Sequence, residues 1–379
     1  MSEWKKCPIG EVVTLRQGFA INAKSKHYMS KEETSLPLLR IADMKNGTKE
    51  VFVKEEIPQR FIAHPEDIIY TRTGNVGLVF RNNYGVMHNN CFSVTPNDAD
   101  ELSRDFLYYA LQNKTFFDTA NALARGAAQP DLPHTSFNSI EFAYPSLFVQ
   151  ERIATILSRY DSLTENSQKQ MKLLEEAAQR LYKEWFVDLH FPGHENTKIV
   201  DGVPEGWEKK KVGEVIVKVP RSKQIPTKDY HKEGAIPIID QSRDYIAGYT
   251  DDIESRVESN EPYIVFGDHT RILKYVPFPF AKGADGTQLI MSNDLDLMPQ
   301  CLLFTSLVSV DLSNYSYARH FKYLKEEEIL VPTASIANAF SKHVAKWYAK
   351  IQLNREQLRI LTEARDRLLP KLMNGEIAV

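Results

Sequence analysis

Two long stretches of the chain carry apolar residues at alternating spacings of three and four positions. The first stretch begins at Ile153, and the second begins 187 residues later, at Phe340. This spacing gathers apolar side chains on one narrow stripe of a helix, as in coiled coils. The stripes predict a coiled-coil seam formed by Ile153, Leu157, Tyr160, Met171, Leu174, Leu181, Trp185, Phe340, Val344, Trp347, Ile351, Leu358, Leu361, Leu368 and Leu372.

Polar residues interrupt both stripes near their middles, at Thr164, Ser167 and Asn354. Polar positions in such a seam fix its register at some cost in stability. The alternative is a pair of ordinary amphipathic helices, each packed on its own domain. Length favours the coiled coil, because a helix of about 34 residues is ~50 Å long and exceeds what a small domain needs.

The two stripes belong to a longer internal repeat. The segments "LLEEAAQRLYKEWF" (173–186) and "ILTEARDRLLPKLM" (360–373) align at the offset of 187 residues. Upstream, an offset of 203 aligns the triplet Gly-Glu-Val at positions 10–12 with the same triplet at positions 213–215. An offset that is constant within each element and changes between elements indicates duplication followed by changes in loop length.

The residues before each stripe are typical of β-strands joined by polar turns. "LPLLRIADMKNG" (36–47) and "AIPIIDQSRDYIAG" (235–248) each begin as a strand, and "EDIIYTRTGNVGLVF" (66–80) predicts a β-hairpin. We therefore predict an α+β fold with a pseudo-two-fold internal repeat. Its segments are a mostly β domain (1–145), a long helix (146–190), a linker (191–206), a second mostly β domain (207–332) and a second long helix (333–379).

Composition is that of a folded protein, with 42% hydrophobic and 26% charged residues among 379. Cys7, Cys91 and Cys301 stand apart, which argues against a disulfide framework and against a zinc knuckle. Neither a charged-then-apolar leader nor an apolar run of bilayer length is evident, so we expect a cytoplasmic protein without membrane partners. The formal charge of −3 gives no sign of nucleic-acid binding, so any basic surface would have to be local.

Motifs that could carry catalysis are weak. "NEPY" (260–263) departs from the N-P-P-Y segment of amino-methyltransferases, and we find no glycine-rich loop suited to S-adenosylmethionine. Pro130-Asp131 lies too far from Glu208 and Lys210 for a nuclease motif, and the histidine spacings predict no metal site. The Gly-Asn-Val-Gly segment at 74–77 is better explained as a hairpin turn than as an RNA-clamping loop. We expect no catalytic residue, metal or cofactor in this chain.

Polar donors cluster on the predicted turns of both copies. Arginine and lysine suit guanine, asparagine and glutamine suit adenine, and glycine lets the backbone approach phosphate. Taken singly, each residue is more simply a solvated loop residue, but their recurrence in both copies favours base reading. The candidate DNA-binding residues are Arg40, Lys45, Arg72, Thr73, Asn75, Arg81, Arg125, Gln129, Arg243, His269, Arg271, Lys274, Lys282, Arg319, His320 and Lys322.

The chain resembles the specificity subunits of type I restriction-modification systems over nearly its whole length. The resemblance is carried by "LPLLRIADMKNG", "EDIIYTRTGNVG", the segment from "YPSLFVQERIATIL" to "KEWF" (144–186) and the restart "VPEGWEKKKVGEV" (203–215). The second copy departs from the pattern, because Gln-Glu-Arg-Ile-Ala at 150–154 becomes Ala-Asn-Ala-Phe-Ser at 337–341. The Arg-x-Gly-x-x-Gly hairpin also lacks a clean counterpart in the sequence around 266–273.

The resemblance implies two target-recognition domains held apart by an antiparallel coiled coil that binds two methyltransferase (M) subunits. It implies a bipartite, asymmetric target in double-stranded DNA, and restriction (R) subunits in the complex. Adenine-N6 methylation and ATP-driven cleavage would reside in those partners, together with S-adenosylmethionine, ATP and Mg. Helix length then predicts half-site centres on the order of 10–15 base pairs apart.

Other interpretations stay open from the sequence. The β domains could bind protein, with the coiled coil as a scaffold, or the chain could read DNA for another phage-defence complex. A free-standing methyltransferase or nuclease is disfavoured by the missing cofactor and metal motifs. Salt-dependent retention on duplex DNA would separate a DNA reader from a scaffold, because phosphate contacts release counterions.

Overall fold

The computed structural model describes residues 4–217, 219–220, 222–284, 286–315 and 319–379. The chain divides into two compact units, unit 1 (Met1–Glu165 with Arg359–Val379) and unit 2 (Asn166–Leu358). Each unit combines a mostly β part with half of each long helix. The units cut across the predicted helical segments 146–190 and 333–379, because each helix half packs on the β part of its own unit.

Unit 1 alternates short strands with short helices before its long helix begins. Its elements in chain order are β1 (Lys5–Pro8), β2 (Val13–Gln17), β3 (Met29–Ser30), β4 (Leu36–Leu39), α1 (Ile41–Asn46), β5 (Phe52–Val53), β6 (Ile62–Ala63), β7 (Ile68–Thr71), β8 (Val79–Phe80), β9 (Gly85–Met87), β10 (Cys91–Pro96), α2 (Arg104–Ala110), α3 (Lys114–Leu123), α4 (His134–Asn138), β11 (Glu141–Tyr144) and the long α5 (Leu147–Tyr182), which continues into unit 2. Local sequence sets several of these limits. Gly47 closes α1 with a φ of +68°, and the Ser103 hydroxyl caps α2 by accepting from the Phe106 N–H.

Two sheets form most of the β part of unit 1. One is antiparallel with the order β2-β10-β7-β8, and the other has the order β3-β5-β4-β9-β6 with a parallel pair β4–β9. Strands β1 and β11 pair separately. Tyr70, Phe92 and Phe137 pack their rings 4.9–5.5 Å apart in the core beneath the first sheet. The same core includes Leu157 of α5, so burial of apolar surface ties the helix to the sheet.

Unit 2 begins inside α5, which ends in a π turn at Lys183–Val187. Its further elements are β12 (Ile199–Val200), β13 (Val203–Pro204), β14 (Glu208–Lys211), α6 (Val212–Val215), β15 (Ile216–Val217), β16 (Ile236–Ile239), β17 (Gly248–Thr250), β18 (Arg256–Val257), β19 (Tyr263–Gly267), β20 (Leu273–Val276), β21 (Phe280–Lys282), β22 (Thr287–Ser292), α7 (Gln300–Val308), α8 (His320–Glu326), β23 (Glu328–Val331) and the long α9 (Ala334–Met373), which continues into unit 1. The predicted linker 191–206 therefore contains a small hairpin, β12–β13.

The strand order of unit 2 repeats that of unit 1. The sheet β15-β22-β19-β20 corresponds to β2-β10-β7-β8, and β17-β16-β21-β18 corresponds to β5-β4-β9-β6. The second of these sheets contains one parallel pair in each unit, β4–β9 in unit 1 and β16–β21 in unit 2. Strands β14 and β23 pair as β1 and β11 do. Helices α7 and α8 follow β22 as α2 and α4 follow β10, whereas α3 has no counterpart in the described part of unit 2. The sequence repeat is thus a repeat of topology.

The long helices are antiparallel. In unit 1 the beginning of α5 shares a core with the end of α9, and in unit 2 the end of α5 packs on the beginning of α9, with the rings of Trp185 and Phe340 5.8 Å apart. The fifteen predicted seam residues are all buried or half-buried. Asn354 is buried as well and donates from Nδ2 to Gln170 Oε1 over 3.2 Å. Among the helices that the structure describes, none is long and apolar enough to cross a membrane.

Candidate nucleic-acid interface

The β7–β8 hairpin of unit 1 ends in a turn that requires glycine. The Thr71 hydroxyl accepts from the Leu78 N–H over 2.9 Å and donates to the Asn75 carbonyl, which closes the turn. Gly74 and Gly77 have φ values of +81° and +96°, which L side chains rarely adopt. A Cβ on Gly77 would also lie 2.5 Å from the Phe117 ring. The turn is therefore fixed in shape, with Asn75 exposed at its tip.

Arg72 and Thr73, at the start of this turn, both bind Asp131. Arg72 donates from Nε to Oδ1 over 3.1 Å and from Nη2 to Oδ2 over 2.6 Å, and the Thr73 hydroxyl donates to Oδ1 over 2.6 Å. Arg72 Nη1 also donates to Gln17 Oε1 over 3.2 Å. Burial alone would raise the pKa of Asp131, but the bonds from Arg72 and Thr73 outweigh it and hold that pKa below its usual value. The Arg72 charge is therefore neutralised inside the protein.

Asp131 also closes the segment 125–131, which we call the finger loop. The backbones of Arg125 and Asp131 exchange two N–H to carbonyl bonds of 2.8 Å each. The Gly74 N–H donates to the Pro130 carbonyl over 2.8 Å, so the hairpin turn supports the loop. Arg125 and Gln129 project from this braced loop and are exposed. Sequence reasoning selected both residues but missed Asp131, whose role depends on a partner 59 positions away.

Three other candidates of unit 1 lie away from the finger loop. Arg40 donates to Asp43 over 2.6 Å and to Glu50, so its charge holds the loop after β4, and its bond lowers the pKa of Asp43. Lys45 is exposed in the last turn of α1. For Arg81 the structure contradicts the predicted DNA contact. Its guanidinium stacks 4.2 Å over the Tyr108 ring and pairs with helix α5 instead of facing outward.

The β19–β20 hairpin of unit 2 is built differently at the same place in the fold. The Gly267 N–H donates to the Ile272 carbonyl and the Arg271 N–H to the Gly267 carbonyl, both over 2.8 Å. Arg271 adopts a φ of +62°, and its Nη2 donates to the Tyr315 carbonyl over 3.1 Å. The Thr270 hydroxyl donates to the Gln241 carbonyl over 2.7 Å. This turn leaves His269 and Arg271 exposed.

The structure also contradicts the predicted DNA contacts of Lys274 and His320, because tertiary packing buries both side chains. Lys274 is 4% exposed, donates from Nζ to the Asp244 carbonyl, and lies 3.9 Å from Asp240 Oδ1. Burial lowers its pKa from 10.5 to about 8. His320 is also 4% exposed, burial lowers its pKa, and its Nδ1 finds no hydrogen-bond partner in the described part of the chain. Neither side chain is available to DNA at this surface.

The remaining candidates of unit 2 differ in exposure. Lys282 is half-buried at the end of β21, beside the parallel strand β16. Arg243 lies exposed in the loop after β16, and Arg319 and Lys322 are exposed at the start of α8. The exposed candidates of unit 2 are therefore Arg243, His269, Arg271, Arg319 and Lys322. Among the residues that the structure describes, no group of three His, Cys, Asp or Glu side chains is arranged to hold a metal ion.

Comparison with known proteins agrees with this architecture. Residues 1–176 match the family model of the type I restriction modification DNA specificity domain. The specificity subunit of the type I restriction enzyme MjaIX of Methanocaldococcus jannaschii is 29% identical over 313 residues, which are 76% of this chain and 72% of that protein. The putative MjaX specificity subunit of the same organism is 22% identical across 92% of this chain and 89% of its own length.

A solved structure shares the fold. The S subunit of the type I restriction-modification system from M. genitalium superposes with a TM-score of 0.66, covering 98% of this chain and 96% of that chain at 18% identity. This chain is therefore similar in sequence and in fold to specificity subunits of type I restriction-modification systems. The family match ends at residue 176, but unit 2 repeats the strand order of unit 1. The second half of the chain is therefore a second copy of the same fold.

Proposed function

We propose that this specificity subunit reads a bipartite, asymmetric target in double-stranded DNA, one half-site with each unit. The observation that carries the proposal is the duplicated strand order, with exposed donors at or near the end of the corresponding hairpin in each copy. A fold that occurs twice in one chain supplies two similar readers, as dimeric DNA-binding proteins do with two subunits. The two half-sites differ in sequence, because the corresponding turns carry different side chains.

In unit 1 the reading groups are Arg125 and Gln129 of the finger loop and Asn75 of the hairpin turn. Gln and Asn side chains pair with adenine N6 and N7, and Arg pairs with guanine O6 and N7. The brace on Asp131 fixes the loop before DNA arrives, so less conformational entropy is lost on binding. In unit 2 the corresponding groups are His269 and Arg271, with Arg319 and Lys322 available to phosphates.

We also propose that the long helices dock two M subunits and that R subunits complete the complex. Leu173 of α5 and Ile360 of α9 occupy equivalent positions of the repeat, and they are 54% and 52% exposed. Equivalent apolar residues on two equivalent helices suit two copies of one partner. Adenine-N6 methylation, ATP-dependent cleavage, S-adenosylmethionine, ATP and Mg then belong to the partners, and this chain contributes specificity without catalysis.

The experiment that tests DNA reading starts from the methylated adenines of the host genome, which define the target. The purified chain, alone and with its M subunits, is then titrated with duplexes that carry the target, one altered half-site, or altered gap bases. Each changed half-site base pair should weaken binding by roughly 1–3 kcal/mol, whereas gap changes should have little effect. Binding that ignores both half-sites, or that lacks a steep salt dependence, would contradict the proposal.

Partner docking has its own test. Leu173→Lys with Ile360→Lys should weaken assembly with M subunits, because two exposed apolar anchors become charged while the fold stays intact. The matched control is Lys172→Gln with Arg359→Gln, the adjacent equivalent pair. Size-exclusion chromatography with purified M subunits measures assembly, and normal assembly of the double lysine variant would exclude this face as the docking site.

A further inference from the structure

A half-buried carboxylate joins the β part of unit 1 to both long helices. The Asp161 side chain, on α5, is 13% exposed and accepts from the Tyr109 hydroxyl over 2.8 Å and from Arg81 Nη2 over 3.1 Å. Arg365 of α9 approaches the other carboxylate oxygen with Nη1 at 3.4 Å. Tyr109 lies on α2 and Arg81 follows β8, so one carboxylate connects the sheet, a short helix and the second long helix.

The single charge of Asp161 does not balance the two guanidinium groups at this junction. Two guanidinium groups share one well-enclosed carboxylate, whereas Asp105, 3.6 Å from Arg81, and Asp366, 3.9 Å from Arg365, are 72% and 63% exposed. Arg81 also stacks over the Tyr108 ring at 4.2 Å, and Arg365 donates to Gln112 over 3.3 Å. Removing the Asp161 charge would leave the two guanidiniums facing each other across the boundary between the β part and α9. Their repulsion would then act on the orientation of the β part.

Unit 2 has no charged side chain at the equivalent positions, although Arg355 of α9 stacks 3.9 Å over the Tyr245 ring and pairs with Glu175 of α5. The repeat offset of 187 residues places Tyr348 at the position of Asp161 and Ala178 at the position of Arg365. The Tyr348 hydroxyl lies 3.0 Å from Thr305 Oγ1, and its ring lies 4.9 Å from Tyr275 and 5.2 Å from Phe304. Ala178 is fully buried in the same core. Packed rings and a neutral hydroxyl pair fill the place of the ionic cluster.

We infer that Asp161 is a positioning residue whose charge sets the orientation of the β part of unit 1 on its helix segments. At the equivalent positions unit 2 uses aromatic packing, so a change that removes only a hydroxyl there should leave its orientation unaltered. The core that includes Leu157 remains when Asp161 is replaced, so the orientation changes while the unit stays folded. The consequence for DNA rests on the proposed function: a loosely oriented first reader accepts more than one gap length.

Pulsed electron resonance between two spin labels tests the orientation directly in the full chain. In unit 1 the labels replace exposed Asp118 and Glu165, in a Cys7→Ser background that leaves only buried native cysteines. Asp161→Asn should broaden or shift the distance distribution, and Asp161→Glu should restore the wild-type distribution because it returns the charge. If Asp161→Asn fails to fold, Asp161→Asn with Arg365→Met, which removes one of the two repelling guanidiniums, should fold and keep the wild-type distribution, and a shifted distribution would contradict repulsion as the cause.

The control is the equivalent change in unit 2. Tyr348→Phe removes only a hydroxyl from a packed cluster, so labels at exposed Glu233 and Lys169 should report an unchanged distribution. An Asp161→Asn distribution identical to wild type would overturn the inference. So would an equal change in unit 2 on Tyr348→Phe, because the two junctions would then respond alike.

The DNA arm compares duplexes with the native gap and with a gap one base pair longer. Wild type should prefer the native gap, and Asp161→Asn should reduce that preference about tenfold while keeping discrimination within each half-site. A preference that is unchanged in the presence of a shifted label distance would reject the consequence for DNA. If wild type shows no sequence preference, the proposed function fails, and the label distances still decide the role of Asp161.

Discussion

The ends of the β7–β8 and β19–β20 hairpins occupy the same place in a repeated fold, but their basic residues lie in different environments. In unit 1, Arg72 lies near the surface but is neutralised by Asp131, and the exposed donors sit on the finger loop it braces. In unit 2, Lys274 is enclosed beside Asp240, and Arg271 is exposed in a left-handed conformation. One topology therefore supports two unrelated side-chain arrangements, as the asymmetric target that we propose would require.

The comparison also shows why a basic residue on a turn is a weak indicator of DNA contact. Arg40, Arg72 and Arg81 all lie on or beside predicted turns, yet each binds a carboxylate of the protein. Their charges fix loops and junctions, and under the proposed function this would hold nearby exposed groups in a defined geometry for DNA. Removing such a brace should therefore disturb recognition as strongly as removing a reading group.

The largest effect should come from Asp131→Ala in unit 1. The change leaves the Arg72 guanidinium without its carboxylate and removes the side-chain support of the finger loop, at a cost of about 2–3 kcal/mol in the free energy of unfolding of unit 1. Partial exposure of Asp131 keeps this below the cost of breaking a fully buried pair. Chemical denaturation measures the change in stability, and hydrogen exchange in residues 125–131 measures the change in the loop. A variant as stable as wild type would show that the brace is dispensable.

The pKa of Asp131 gives this brace a pH dependence. Because the folded-state pKa lies below the unfolded value, the stabilisation is present above the unfolded pKa and is lost as the pH falls through the folded pKa. Acid should therefore reduce the stability difference between wild type and Asp131→Ala. A difference that stays constant down to strongly acidic pH would assign the effect to packing instead of charge.

Lys274→Met tests the enclosed cation of unit 2. Below about pH 8 both folded and unfolded chains carry the lysine proton, so the folded state bears the cost of burying the charge. As the pH rises, the folded chain releases its proton first and wild type should gain about 2 kcal/mol relative to Lys274→Met between about pH 7 and about pH 9.5. Denaturation of both proteins across this range measures the difference, and parallel pH profiles would show that Lys274 is solvated.

Gln129→Ala should affect DNA recognition without affecting stability. Its loss should weaken target binding by roughly 1–2 kcal/mol and relax the preference at one base pair of the first half-site. The matched control is Gln59→Ala, another exposed glutamine of unit 1 outside the finger loop and the hairpin turn. Binding measured on a set of single-base-pair variants would contradict the assignment if the relaxed position fell in the second half-site.

The smallest effect on stability should follow Arg271→Gly in unit 2. Glycine relieves the left-handed backbone at a φ of +62°, worth about 1 kcal/mol, although the bond to the Tyr315 carbonyl is lost. Stability should therefore change little while the salt dependence of DNA binding becomes less steep. A large loss of stability would indicate that Arg271 serves the fold, as Arg72 does in unit 1.

The sequence by itself determined the repeat, the long helices and the resemblance to specificity subunits. Those features are periodic or collinear, so the apolar stripe from Ile153 to Trp185 and its copy from Phe340 to Leu372 are visible without coordinates. The strands at 36–39 and 68–71 were also recognisable, because short apolar runs end there in polar residues, whereas helix α1 was expected to be a turn. Helix α3 and the β12–β13 hairpin carry no comparable pattern and were not predicted.

Tertiary structure alone decided which charged residues face outward. Lys274 and Arg271 lie three positions apart on one hairpin, yet one is buried and the other exposed. The pairs Arg72–Asp131 and Asp161–Arg365 join residues 59 and 204 positions apart, and local sequence contains no signal for either. A charged side chain remains buried only where a distant group offsets the cost of its desolvation. Whether a charged residue is exposed therefore depends on partners in the folded chain that no local pattern specifies.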